Sequence, residues 1–153
     1  MNQVKIDKET RKMLGILIEW YLTGELDNRI ESERIEAKEA PTAQTTDKSI
    51  VLNSGGSGSY SSGFGIGVVF NPRATARRRY KMLKLAKKKL ELAMDSAKKN
   101  AKYSEHRKIL FLFYKHDHKI NQIAQKLGWA EDTIKKRKRD IIDYIADHMK
   151  IAS

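Results

Sequence analysis

The chain has 153 residues, 31 of them Lys or Arg and 19 Asp or Glu, for a formal net charge of +12 at pH 7 with 40% hydrophobic and 33% charged residues. That length holds one modest domain, or a small domain with an appended arm, and the low apolar share points to a small core of amphipathic helices. The absence of cysteine excludes disulfides, thiolate metal sites and a cysteine nucleophile.

No run approaches the roughly 20 apolar residues of a membrane span. The apolar stretch 13–22 is interrupted by Glu19 and has no small-residue cleavage site after it, so the chain reads as soluble and cytoplasmic.

In chain order, residues 7–23 carry Met13, Leu14, Leu17, Ile18 and Tyr21 at spacings of three and four, which predicts an amphipathic helix stopped by Gly24. Residues 25–40 predict a second, acidic helix with Leu26, Ile30 and Ile35 as its sizeable apolar residues, in need of a partner surface, and Pro41 ends it. Together, 1–40 form an N-terminal helical arm.

Residues 41–71 are rich in Ser, Gly and Thr, with a Ser/Gly run at 54–63. They read as a flexible linker or loop, with 50–52 and 66–70 as strands of a possible hairpin.

From residue 72 to 153 the composition predicts a basic helical domain. Residues 73–101 form a long helix with Pro72 in its first turn, and place Leu83, Ala86, Leu90, Ala93, Met94 and Ala97 on one face. Residues 104–115 form the next helix, with Ser104 as cap and Ile109, Leu110, Phe113 and Tyr114 turned inward, ending at the polar His116-Asp117-His118. The fold class is therefore mostly α.

The charge is unevenly placed. Residues 1–71 hold 8 basic and 10 acidic side chains, whereas 72–153 hold 23 and 9. Cations concentrated in this way release counterions from a polyanion, which points to a nucleic-acid partner.

Residues 119–150 carry the motif that makes duplex DNA the expected partner. A helix-turn-helix needs a small residue where its helices cross, a Gly just past the first helix to adopt the left-handed conformation, and a branched apolar residue one turn into the second helix. Ala124, Gly128 and Ile134 meet those demands, Ile120, Ile123, Leu127 and Trp129 supply the inward face, and Ile141, Ile142, Ile145 and Met149 continue the stripe.

The second helix, from Glu131 onward, would enter the major groove with its N-terminal face. Lys135, Lys136 and Arg139 are the candidates for base edges or nearby phosphates, Thr133 for either, and Arg137 and Lys138 mainly for the backbone. Glu131 and Asp132 either accept from a cytosine amino group or complement the helix dipole. Ala130 stands where a Ser or Thr cap is usual, an omission worth roughly 1 kcal/mol. Arg77, Arg78 and Arg79, within the basic cluster 73–89, are candidate phosphate contacts indifferent to sequence.

Other chemistries are weaker. The pair His116 and His118 lacks a third ligand and reads as a polar turn, so no metal is expected. The glycines at 55–67 form neither a Gly-Lys-Ser/Thr ending nor an intact dinucleotide fingerprint. No acid–base pair stands out, and neither a cofactor nor an enzymatic activity is expected.

The segment Arg107-Lys-Ile-Leu-Phe-Leu-Phe-Tyr114, then 120–128, then Asp132-Thr-Ile-Lys-Lys-Arg-Lys-Arg-Asp-Ile-Ile142 resembles the RinA/ArpU group of phage late-gene transcriptional activators, whose C-terminal part is similar to sigma-factor region four. The resemblance covers about a third of the chain. It implies binding beside a promoter and activation of packaging and morphogenesis genes with host RNA polymerase. In that setting Leu14, Leu17, Ile18 and Trp20 of the arm are candidates for self-association into a homo-oligomer or for a polymerase contact, with packing on the chain's own helices as the alternative.

Two other readings compete. A small-terminase-like DNA-packaging subunit usually carries its motif near the N-terminus, unlike this chain. A non-specific nucleic-acid binder would rely on the cluster 73–89.

Overall fold

In a computed structural model of the chain, residues 6–39 and 65–151 are described, and every regular element among them is a helix. The expectations for 41–64, the strand at 50–52 included, lie outside the described residues. Helix α1 (Lys8–Thr23) starts where the Asp7 carboxylate accepts the Thr10 N–H at 2.7 Å, and it ends at Gly24 with φ 86°. Helix α2 (Glu25–Glu39) follows at once.

The expected strand at 66–70 is instead one helical turn, α3 (Ile66–Val69). Its buried residues are Ile66 and Val69, and a spacing of three puts both on one side only in a helix; a strand would turn them to opposite faces. Helix α4 (Ala76–Lys99) begins four residues after Pro72, because Thr75 Oγ accepts the Arg78 N–H at 3.2 Å and caps it. Pro72 belongs to the turn before the helix, not to its first turn.

Helix α5 (Tyr103–Leu110) is likewise capped by a residue other than the expected Ser104: Asn100 Oδ1 accepts from the N–H groups of Lys102 at 2.8 Å and Tyr103 at 3.4 Å. It runs on into a wider π-helical turn, Phe111–Lys115, in which the His116 N–H reaches the Phe111 carbonyl at 3.1 Å. Helices α6 (Ile120–Leu127) and α7 (Glu131–Met149) complete the chain.

The long α4 is the spine. Its stripe of Leu83, Ala86, Leu90, Ala93, Met94 and Ala97 is buried, and both α2 and α7 pack along it. Ion pairs between Lys87 and Asp27 at 2.6 Å and between Arg79 and Glu33 show that α2 runs antiparallel to α4. Contacts of Ser96 Oγ with Tyr144 Oη at 2.5 Å, and of Lys89 Nζ with the Met149 carbonyl at 3.5 Å, give α7 the same sense.

Two apolar clusters result. The larger joins α1 to α5 with Ile141, Ile142, Ile145, Ala146 and Met149 of α7. The smaller gathers Ile109, Leu112, Ile123, Ala124 and Ile134, with Phe113, Ile120, Leu127 and Trp129 at its edge.

The residues proposed for association through a free arm are committed inside the chain. Leu14, Leu17 and Ile18 are fully buried, and Trp20 packs against Phe70 with ring centroids 5.1 Å apart beneath the Arg29 guanidinium. Among the described residues, no helix is long and apolar enough to cross a membrane.

Because α1 is core, Leu17→Ala is expected to cost about 2–5 kcal/mol of stability, read as a lowered urea midpoint with an unchanged slope. A loss below about 1 kcal/mol would mean that α1 is a detachable arm.

Candidate nucleic-acid interface

The turn between α6 and α7 is fixed by local chemistry. Gly128 adopts φ 74°, ψ 26°, and its N–H and that of Trp129 both reach the Ala124 carbonyl, at 2.9 and 3.1 Å. This is the left-handed stop that glycine takes at least cost. At the start of α6, the Gln122 side chain accepts the Lys119 N–H at 2.8 Å. Ala124 and Ile134 are both buried in the smaller cluster. Ala130 makes no side-chain cap, and Glu131 and Asp132 occupy the first turn of α7, where negative charge offsets the unpaired N–H groups.

Five consecutive basic residues cannot all face solvent on a helix with 3.6 residues per turn, and here they divide. Lys135, Lys136 and Arg139 are exposed, as are Glu131 and Asp132, while Thr133 is half-buried. Arg137 lies over the Trp129 ring, 4.2 Å from its centroid. Lys138 lies 4.0 Å above Phe113 and 5.4 Å from Tyr114, and burial pushes its ammonium pKa down. The two residues expected mainly on the DNA backbone are thus held against aromatic rings, and the exposed cations are the three expected near base edges.

The Arg77–Arg79 cluster is placed differently. Arg79 pairs with Glu33 and donates to the carbonyls of Pro72 and Ala74, so its guanidinium, its pKa raised by the Glu33 contact, fastens α2 and the preceding turn to α4. Arg77 and Arg78 sit at the start of α4, whereas the basic half of α7 projects past the other end, since α7 pairs antiparallel with the C-terminal half of α4. From Arg78 to Ala97 the helix rises about 28 Å. The two basic clusters do not form one patch.

A set of cations that the sequence reading missed lies beside α7. A groove of about 890 Å³ between α1 and α7 brings Lys8 and Lys12 alongside Lys135, Lys138 and Arg139. Arg11 anchors this arrangement through a two-pronged contact with Asp143, at 2.9 and 3.2 Å. The signal was the spacing of Lys8 and Lys12 by four residues, which the net acidic count of residues 1–71 concealed.

His116, Asp117 and His118 form the turn between α5 and α6, with Asp117 at φ 55°. Among the described residues no three metal-ligating side chains converge.

Behind α7, His106 is buried with its Nδ1 lacking a hydrogen-bond partner among the described residues. Burial, followed by the charge of Arg137, lowers its pKa below the usual 6.5, against an opposing pull from Asp140. The unfolded chain therefore takes up this proton at a higher pH than the folded one does. The stability His106 contributes is present above about pH 6.5 and is lost as pH falls below that value. Thermal midpoints at pH 7.5 and 5.5 should fall with acid in the parent chain and fall less in His106→Phe; equal drops would show that the loss arises elsewhere.

Comparison with protein-family models, with curated proteins and with solved structures returns no match.

Proposed function

We propose that the chain is a sequence-specific duplex-DNA-binding transcriptional activator, with α6, the Gly128 turn and α7 acting as a helix-turn-helix over residues 119–150. The observation that carries this reading is the pairing of a rigid anchor with exposed cations on one helix. The C-terminal half of α7 is buried in the main core, while its first turns present Lys135, Lys136 and Arg139 to solvent.

A helix held in this way fits the major groove, where Arg and Lys donate to guanine N7 and O6. Lys136 and Arg139 take that role. Lys8 and Lys12 bear on phosphates beside the groove, fixing register without reading sequence. Glu131 and Asp132 serve the helix dipole or accept from a cytosine amino group. Arg77 and Arg78, at the far end of α4, stand outside this interface.

The activation step rests on the resemblance to the RinA/ArpU activators, and on it the chain works with host RNA polymerase at phage late promoters.

Binding to genomic fragments from the source, measured against random duplex at about 150 mM salt, tests the reading. A preference of ~1000-fold or more for one fragment is expected, abolished by Lys136→Ala with Arg139→Ala. The Lys8→Ala, Lys12→Ala pair should weaken all duplexes alike and reduce the salt slope by about 2. Equal affinity for every duplex would sink the sequence-specific reading and leave general nucleic-acid binding.

A further inference from the structure

The floor of the groove between α1 and α7 does not suit phosphodiester contact alone. Its rim is cationic, but beneath the rim lie Ile16, Phe113, Tyr114, Ile120 and Ile142. Apolar surface of this kind gains nothing from a phosphate, and its burial by a flat hydrocarbon body is favourable.

Two polar groups, Lys138 and Tyr114, line that floor. Lys138 holds its ammonium over Phe113, and among the described residues no carboxylate lies within ion-pair distance of it, although Glu9 and Glu19 line the α1 wall. Tyr114 also lines the groove, with its hydroxyl against Gly15. The groove reaches Tyr114 because position 15 is glycine: a Cβ there would stand 2.7 Å from Tyr114 Oη. A large apolar recess with a few convergent polar groups is the usual form of a small-molecule site.

We infer that this groove binds a small organic anion with an aromatic body, its acidic group paired with Lys138 and its ring system seated on Phe113, Tyr114 and the three isoleucines. The anion supplies the counter-charge that Lys138 lacks, and a charge-assisted contact in a partly desolvated place is stronger than its exposed equivalent. Lys135 and Arg139 attract such a ligand from the rim. The falling pKa of Lys138 with burial agrees with a cation short of a partner.

The test uses anilinonaphthalene sulfonate as the probe, with uncharged phenylnaphthylamine as its control, on the full chain without DNA, so the result is independent of the DNA reading. Titration followed by fluorescence should show one saturable site, and the methyl resonances of Ile16, Ile120 and Ile142 should shift with the same affinity. Lys138→Met should weaken the sulfonate by about tenfold or more while leaving the uncharged control unchanged, and Lys138→Arg should retain sulfonate binding. Equal sulfonate affinity in Lys138→Met, or shifts confined to other methyls, would overturn the assignment. Circular dichroism melts of both variants show whether a loss of affinity comes from unfolding, and Lys138→Arg, which keeps the cation, separates charge from packing.

Discussion

Close packing along one face of α4 is the constraint on which the other placements depend. Ala86, Ala93 and Ala97 have no exposed surface, so neighbouring helices come near the α4 backbone at those points, with Leu83, Leu90 and Met94 filling the spaces between. The same face takes α2 and α7, both antiparallel. Because α7 pairs with the C-terminal half of α4 through its own last turns, its first turns extend beyond the spine. A second, smaller core built on Ile109, Ile123 and Ile134 fixes the direction of that extension. Buried apolar contact thus decides where the cations of α7 are displayed, and the cations contribute little to the packing.

The charges along α7 follow the same division. Its projecting half carries Lys135, Lys136 and Arg139 toward solvent, and its docked half carries Asp140, Asp143 and Asp147. Asp143 is tied to Arg11 of α1, which places the basic start of α1 beside the basic part of α7. Lys138 falls between Ile134 and Ile141 on the inward stripe, four residues after the first and three before the second, so helix periodicity sends it to the aromatic rings. A polyanion approaching this end meets Lys8, Lys12, Lys135, Lys136 and Arg139 together, whereas the docked half of α7 would repel it.

Much of this was legible locally. The start and stop of α1 follow from Asp7 and Gly24, and the stop of α6 from Gly128, all of which act within a few positions. Two boundaries lie elsewhere than expected because the deciding partner was a neighbour that the simpler rule passed over, with Thr75 capping α4 despite Pro72 and Asn100 capping α5 despite Ser104, and one expected strand is a helical turn because the core accepts Ile66 with Val69, not the alternating set a strand would offer. The π turn at 111–115 has no composition signal. It lets consecutive residues serve both clusters, with Phe111 and Tyr114 packed on the larger and Leu112 and Phe113 in the smaller. The candidate site was legible in Lys135, Lys136 and Arg139 but not in Lys8 and Lys12, whose nearness to α7 depends on tertiary packing. The same packing removed Arg79, Arg137 and Lys138 from the set of freely exposed cations.

We propose that DNA is met by the α7 end of the molecule and not by the more densely basic start of α4. Backbone amide shifts recorded while a duplex is titrated into the full chain test it directly. Residues 131–139, with Lys8 and Lys12, are expected to shift and saturate together while residues 77–89 stay in place. Shifts centred on 77–89 with 131–139 unmoved would contradict it.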